Sequence, residues 1–590
     1  MDAEQRTDNK RAWYLGNTTV REAQRLRAGL TVLADSPLNG NLEGKERETA
    51  FALLLNKAEI LRIQRDLTED FSDLGRKWRA AMMQLGFITP DSKRLTENGL
   101  PQILPYFVTE NGRRLIKSES LPAQQECVLR SLLAHQLPSP IESFATAASF
   151  NPLRIVLATL VELEKSEPRL ALSKLEMAAV VQLLTNPNDI PVGVERILNH
   201  RKKIERAEQP RERHEIDRQF LEAAANDRQN SETLTDYADS NFRYLRLTGL
   251  FKQEGNRLGL APHRRTLIER ILARPFEPHD GKNYLLKLWQ GAELPTDNRE
   301  TAIAETRETA TALQSVGVAV ELPPDLDRRS VPDIQRELHD LEEQLLRSRE
   351  RSYANAQRNQ WENIAAYLDG LLSGKRPVPP KEAPAYFEWT IWRAFLAINS
   401  LVSEPWDCRN FEVYEGPEPF ESFLPVGCAR SGGPDLVFEF ENFALVVEVT
   451  LTSSSRQEAA EGEPVRRHVA RHADEFAKKN KPVYGLFISV SLDTNTAETF
   501  RLARWYRPDD SEVYLQIVPL TLQQFTNLFK VAFGRNGSMD YMLIEALLRD
   551  CLADINSPAP VWKRSINQRV ERFITNRLQG AQENTARSQN

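Results

Sequence analysis

Pro434-Asp-Leu-Val-Phe-Glu-Phe-Glu-Asn-Phe-Ala-Leu-Val-Val-Glu-Val-Thr450 decides the fold of the last third of this chain. Two apolar runs, Asp435–Phe440 and Ala444–Thr450, flank the short turn Glu441-Asn442-Phe443 and predict a β-hairpin. Both runs carry carboxylates where a purely structural strand would exclude them. Asp435 follows Gly432-Gly433-Pro434 at the mouth of the first, and Glu448 interrupts the apolar letters of the second. A buried carboxylate is costly unless it is paired or bound to metal. Alternation along the strand puts Glu448 and Thr450 on one face, with Val447 and Val449 on the other. Two carboxylates converging from adjacent strands suit a divalent cation such as Mg²⁺, which takes one or two protein oxygens and keeps positions for water and phosphate. Such a cation acidifies a water and stabilises the charge on a phosphodiester under in-line attack.

Working outward, a helix carrying Glu388, Trp389, Trp392 and Phe395 is expected to be amphipathic, and Phe411–Tyr414 reads as a strand. Downstream, Glu463–Lys479 has helical composition and Val483–Val490 is a buried strand. The order helix, strand, strand, strand, helix, strand predicts a mixed sheet with helices on its faces. His468 and His472 lie one helical turn apart, which is zinc-ligand spacing, but no cysteine or third histidine is near them. Arg467 and His468 are expected to face a scissile phosphate or to support Glu461 from the helix start. Glu439 and Glu441 sit at the hairpin end, where solvated carboxylates are ordinary, and stay outside the site.

Pro434-Asp435 followed by Glu448-Val449-Thr450 on the next strand resembles the PD-(D/E)XK nuclease superfamily, with the Glu388 helix, hairpin and following helix in that family's order. The resemblance extends to the AlwI-type type IIS restriction and nicking endonucleases. It is carried by Phe242-Arg-Tyr-Leu-Arg-Leu-Thr-Gly-Leu-Phe251, Glu388-Trp-Thr-Ile-Trp392, Glu461-Gly-Glu-Pro-Val-Arg-Arg-His468 and Ile517-Val-Pro-Leu-Thr-Leu-Gln-Gln-Phe525, so it covers most of the chain. It implies an acidic, metal-holding cluster at Glu388, Asp435, Glu448 and Glu461, with Thr450 and His468 as further catalytic members. Mg²⁺ is the implied cofactor, and Mn²⁺ substitutes. Thr450 stands where the superfamily usually has a lysine, and a threonine looks normal in the AlwI-type branch. The implied activity is binding of a short asymmetric duplex sequence and hydrolysis at a fixed offset outside it. One site cuts one strand, so the enzyme nicks unless a transient homodimer of catalytic domains or a small nuclease subunit brings a second site. A companion DNA methyltransferase is also implied.

The first half contains what reads as one device used twice: a basic-aromatic helix, a glycine turn and a short hairpin. Arg76, Lys77, Trp78 and Arg79 lead to Gly86, the turn Pro90-Asp91-Ser92, and then Lys93, Arg94 and Leu95. Phe242, Arg243, Tyr244 and Arg246 lead to Gly249, the turn Gly255-Asn256, and then Arg257 and Leu258. Each looks like a winged helix, which makes Arg76, Lys77, Arg79, Lys93, Arg94, Arg243, Tyr244, Arg246 and Arg257 the expected contacts to double-stranded DNA. Asn241–Arg270 holds seven Lys/Arg against two acids although the formal net charge of the chain is −6. That local excess suits phosphate contact.

A stretch rich in Glu, Arg, Leu and Ala follows, with Ile334, Leu338, Leu341 and Leu345 at helical spacing, and the proline run Gly374–Pro380 ends it. The expected architecture is multidomain α+β. Mostly helical winged-helix-like recognition domains (1–155 and 156–285) are followed by a helical linker (286–376) and a C-terminal α/β PD-(D/E)XK domain with a mixed sheet (377–590). A chain of 590 residues, 41% hydrophobic and 27% charged, fits several globular cores and excludes a fibrous or mostly disordered protein. No apolar run approaches the roughly 20 residues that cross a bilayer, and the polar start MDAEQRTDNKR lacks a signal region, so no membrane and a cytoplasmic location are expected. Cys127, Cys408, Cys428 and Cys551 form no close pair and are expected to be ordinary buried thiols. Two rival readings are a PD-(D/E)XK repair or defence nuclease that reads DNA structure or modification, and a DNA-binding regulator with an inactive nuclease relic. Intact Asp435 and Glu448 argue against the relic.

Overall fold

The alternating hairpin and the helical stretches around it organise a mostly helical chain with a mixed sheet, described here by a computed structural model. The structure describes residues 11–587 except 19, 21–24, 59, 62, 64–68, 167–170, 226–228, 255–256, 262–263, 380–381, 399, 412, 415–422, 426, 430–431, 454–455, 508 and 534–539. Two units emerge, Met1–Leu346 and Arg347–Asn590. No helix among the described residues is long and apolar enough to cross a membrane.

One hydrophobic core runs through the first unit from Ala12 to Leu294, so no separate cores mark a division near residue 155. The N-terminal segment threads into it. Trp13 Nε1 donates to the Leu184 carbonyl at 3.0 Å, Leu15 N to Asn241 Oδ1 at 2.8 Å, and Ser240 Oγ to the Leu15 carbonyl at 2.7 Å.

The two tandem segments turn out differently. In the first, helix α1 (Ser72–Gln84) leads through Gly86, at φ +71°, to a second helix, α2 (Ser92–Glu97), instead of a hairpin. Asp91 accepts from Arg94 N at 3.0 Å, so Pro-Asp-Ser here is a helix N-cap, a role aspartate fills as readily as it fills a turn. In the second, helix α3 (Ser231–Arg246) is followed by Gly249 at φ +69° and by the expected hairpin. Its strands β2 (Phe251–Glu254) and β3 (Arg257–Leu260) pair antiparallel, and β1 (Leu172–Ser173) adds to β3. The turn Gly255-Asn256 lies outside the described residues.

A buried polar group in this unit gives a pH test. Gln84 Nε2 donates to Glu142 Oε2 at 2.7 Å, and Glu142 Oε1 lies 3.5 Å from His135 Nε2. Burial pushes the Glu142 carboxyl up to about 7 and the His135 imidazole down to about 4. A carboxyl raised on folding adds stability below its unfolded value, and that stability is lost as pH rises through the folded one. Glu142→Gln is therefore expected to raise the unfolding temperature by a few degrees at pH 8, from up to about 3 kcal/mol, and to leave it nearly unchanged at pH 4.5. Equal shifts at both pH values in thermal melts would remove the titration argument.

The stretch expected as a linker is divided between the units, because the boundary falls inside helix α4 (Val331–Ala356). Leu341 and Leu345 pack with Ala310 and Leu313, and Ile334 with Ala302, inside the first unit. In the second unit, Gln357 and then helix α5 (Trp361–Ser373) hold helix α6 (Ala383–Leu396). Arg393 Nε donates to Gln357 Oε1 at 2.7 Å and Arg393 Nη1 to Asn363 Oδ1 at 2.8 Å. The proline run is thus internal to the second unit.

Helix α6 is buried on all sides, not amphipathic: every residue from Ala385 to Leu396 is covered, and Trp389 and Trp392 each donate to a carbonyl, at Phe423 and Pro405. The short strands β4 (Val413–Tyr414) and β5 (Leu424–Pro425) pair beside it. The central sheet contains β6 (Leu436–Glu439), β7 (Ala444–Thr450), β8 (Val483–Ser489) and β11 (Gln516–Thr521), in the order β11-β8-β7-β6. β6 runs antiparallel to β7, while β7, β8 and β11 are parallel, as the sequence order predicts for a mixed sheet. The small hairpin β9 (Arg504–Tyr506) and β10 (Glu512–Tyr514) precedes β11. Helix α7 (Gln457–Ala477) covers one face through Val465 and Val469.

Candidate active site

Register builds the site. Leu436 lies opposite Val447, so Asp435, one residue before β6, is the cross-strand neighbour of Glu448. Asp435 Oδ2 accepts from Val449 N at 2.8 Å, which fixes the carboxyl against the strand. The two carboxyls face each other closely enough to interact. Burial first, and then the Glu448 charge, hold Asp435 well above the usual carboxylate range. Burial and the nearby Glu461 push Glu448 up to about 8.

Glu388 joins from α6. Its Oε2 accepts from Ala429 N at 2.5 Å, and burial together with the charges of Asp435 and Glu448 raises its carboxyl well above the ordinary value. Glu461 and His468 are seven residues apart on α7 and therefore share a face of it. His468 Nδ1 lies 2.5 Å from Glu448 Oε1, so the imidazole steadies Glu448. Arg467 pairs with Glu463 at 3.1 Å and draws the Glu448 carboxyl slightly down. His472 pairs with Glu475 at 3.1 Å. Glu439 is bound by Lys479 and Lys481, an ordinary surface arrangement. Thr450 Oγ1 accepts from Thr452 N at 3.1 Å, which turns it toward the loop after β7.

The four expected acids thus form one electrostatic cluster. Among the described residues no three His, Cys, Asp or Glu side chains close around a point tightly enough to cage an ion. Mg²⁺ does not require a cage, because one or two carboxylates with waters suffice. Two neighbouring carboxyls whose charged forms are disfavoured by burial and by nearby acids are a fitting place for a hard cation, which neutralises the pair.

One contributor had no sequence signal. Gln457, fully buried, donates to the carbonyls of Thr452 and Ser491 at 2.7 and 2.9 Å and accepts from Asp493 N at 3.0 Å. It ties the loop after β7 to the loop after β8 at the end of the sheet that carries Glu448 and Thr450. Cys428 is exposed, contrary to expectation, and hydrogen-bonds Glu388; the other three thiols are buried.

The expected DNA contacts separate into two groups. Tyr244 is fully buried, its ring lying against Gly16, and cannot reach a ligand. Arg243 donates to the carbonyls of Val20 and Thr18, and Arg79 pairs with Glu48 at 2.8 Å and stacks on Tyr106, so both act inside the fold. A sequence shows their charge but not these partners. Arg246 is largely covered. Arg76 and Lys93 are exposed, and Lys77, Arg94 and Arg257 are half-exposed beside Asp73, Asp91 and Glu176.

No curated protein sequence matches this chain. Among solved structures, it is similar to the small subunit R.BspD6I2 of the heterodimeric restriction endonuclease R.BspD6I, at 24% identity and a TM-score of 0.27 over 34% of this chain and 96% of that one. It is also similar to the BpuJ1 endonuclease binding domain, solved with pyrene- and phenanthrene-modified DNA, at 15% identity and a TM-score of 0.31 over 47% of this chain and 95% of that one. Neither superposes closely enough to transfer a property. The family model of the AlwI restriction endonuclease matches residues 83–528, which include all four clustered acids, and the chain belongs to that family.

Proposed function

We propose that this protein is a site-specific type IIS DNA endonuclease. Its first unit reads a short asymmetric duplex sequence, and its second hydrolyses a phosphodiester bond at a fixed offset outside it. The observation that carries this reading is the cross-strand pair Asp435 and Glu448, brought together by the strand register and within electrostatic reach of Glu388 and Glu461. Asp435 and Glu448 are the residues to hold Mg²⁺ or Mn²⁺, with Glu388 and Glu461 adding negative charge. A cation there supplies Lewis-acid activation of water and neutralises the phosphate. Val449 N–H fixes the Asp435 carboxyl, Ala429 N–H fixes Glu388, and His468 fixes Glu448. Thr450 brings no positive charge, so charge balance falls to the cation. A DNA methyltransferase protecting the same sequence is the companion this reading expects.

Plasmid cleavage is therefore expected to need Mg²⁺ or Mn²⁺ and to stop in EDTA; cutting that persists in excess chelator ends the metal mechanism. One acidic cluster serves one strand, and an asymmetric target supplies no two-fold axis to deliver a second. Excess Asp435→Ala protein mixed with wild type should accumulate nicked circles at the expense of linear plasmid if a second copy makes the other cut. An unchanged rate of linear product means one chain cuts both strands.

A further inference from the structure

The C-terminal helix α8 (Ala559–Arg587) lies at the end of the sheet that holds the acidic cluster. Lys563 Nζ donates to the Leu492 carbonyl at 2.6 Å, just beyond the end of β8. Four residues on, Asn567 Oδ1 accepts from Gln524 Nε2 at 3.0 Å, and the same Gln524 accepts from Thr521 N at the end of β11. Thr521, Ser489 and Thr450 are aligned in register, so these anchors lay the helix across the carboxyl ends of the parallel strands. Ligands of open parallel sheets bind at those ends.

Trp562, Ile566 and Val570 are the buried side of α8. Residues 559–577 hold five Lys/Arg against one acid, Glu571, in a chain of net charge −6. Arg569 serves the fold through Asp550 and Asp554. Arg564 and Arg572 are exposed on the opposite side, eight residues apart, and among the described residues no acidic side chain pairs with either. The helical rise separates them by about 12 Å, enough to meet two different phosphates of one duplex strand at once.

We infer that Arg564 and Arg572 form a phosphate-contact face of the second unit, gripping the backbone of duplex DNA beside the acidic cluster. This rests on the nuclease reading above, and it assigns the grip to a helix outside the recognition unit. Each phosphate neutralised releases counterions, so each contact adds about 0.9 to the log–log salt slope of binding.

The test compares full-length wild type, R564Q/R572Q, R564K/R572K and, as a charge-matched control, R504Q/R507Q at the opposite end of the sheet. Binding to linear plasmid DNA is titrated in EDTA at several NaCl concentrations, and thermal melts confirm folding. The expected result is a slope lower by about 1.8 for R564Q/R572Q alone, with the lysine pair and the control like wild type. A wild-type slope in R564Q/R572Q overturns the inference, as does a change in sedimentation without a change in slope, which would make the face a contact between protein copies. Because binding is read without cleavage, a reduced slope in a protein that never cuts with Mg²⁺ keeps the contact and ends the nuclease reading. Cutting with an unchanged slope does the reverse.

Discussion

Asp435→Asn and Glu448→Gln proteins are expected to lose DNA cleavage by at least about 10³-fold, since each removes a carboxylate oxygen assigned to hold the cation. Their affinity for DNA should stay within about threefold of wild type, because cutting and sequence reading are assigned to different units. A second readout separates this from damage to the fold. Both carboxyls are held above their ordinary range by burial and by neighbouring acids, so the native state bears a cost that the neutral amides remove. Unfolding temperature should therefore hold or rise as activity disappears, as at other sites where function is maintained against stability. His468 sits 2.5 Å from Glu448 Oε1 and remains able to bond the glutamine. Loss of cutting together with DNA binding, or with a lowered melting temperature, would show that these residues hold the fold and not the chemistry.

A fragment spanning 347–590 is expected to unfold cooperatively, whereas one spanning 382–590 should not. The shorter piece lacks Gln357 and Asn363, the partners of the buried Arg393 guanidinium, and a buried charge stripped of its partners costs about 3–5 kcal/mol. It also lacks Tyr367, whose ring packs against Tyr386 and Trp389, and the buried Ile364 and Leu368. Those losses together are comparable with the whole stability of a domain, about 5–15 kcal/mol. Urea titrations followed by tryptophan fluorescence decide the matter. Equal midpoints for the two fragments would return residues 347–373 to the status of a connector. The complementary fragment 1–346 should keep DNA affinity by the proposed division of labour.

The sequence showed the hairpin clearly because Asp435–Phe440 and Ala444–Thr450 are apolar runs of strand length joined by a short turn, and because carboxylates in apolar runs are anomalous enough to announce a site. Glu388 and Glu461 needed the family resemblance, since a glutamate on a helix is otherwise unremarkable. Where one letter serves two physical roles, reading failed. Pro-Asp-Ser at 90–92 fits a turn or an N-cap, and the structure uses the cap. Arg79 and Arg243 have the charge for phosphate but spend it on Glu48 and on the Val20 and Thr18 carbonyls, partners remote in sequence. Gln457 could not be singled out, because its three hydrogen bonds are to backbone groups that any residue supplies.

The threading of the N-terminal segment bears on how the protein is made. Leu15 is bonded to Asn241 and Ser240, some 225 positions later, so the first core cannot close until α3 has left the ribosome. At roughly 5–20 residues per second, that is a wait of about 10–50 s with Trp13 and its apolar neighbours uncovered. Contacts of such high order also slow the closing step itself. Yet the delay leaves the order of assembly intact. All of the first unit is synthesised before Glu388, and the acidic cluster is complete only when Glu461 and His468 emerge, so the chain never carries a finished site before the unit assigned to direct it.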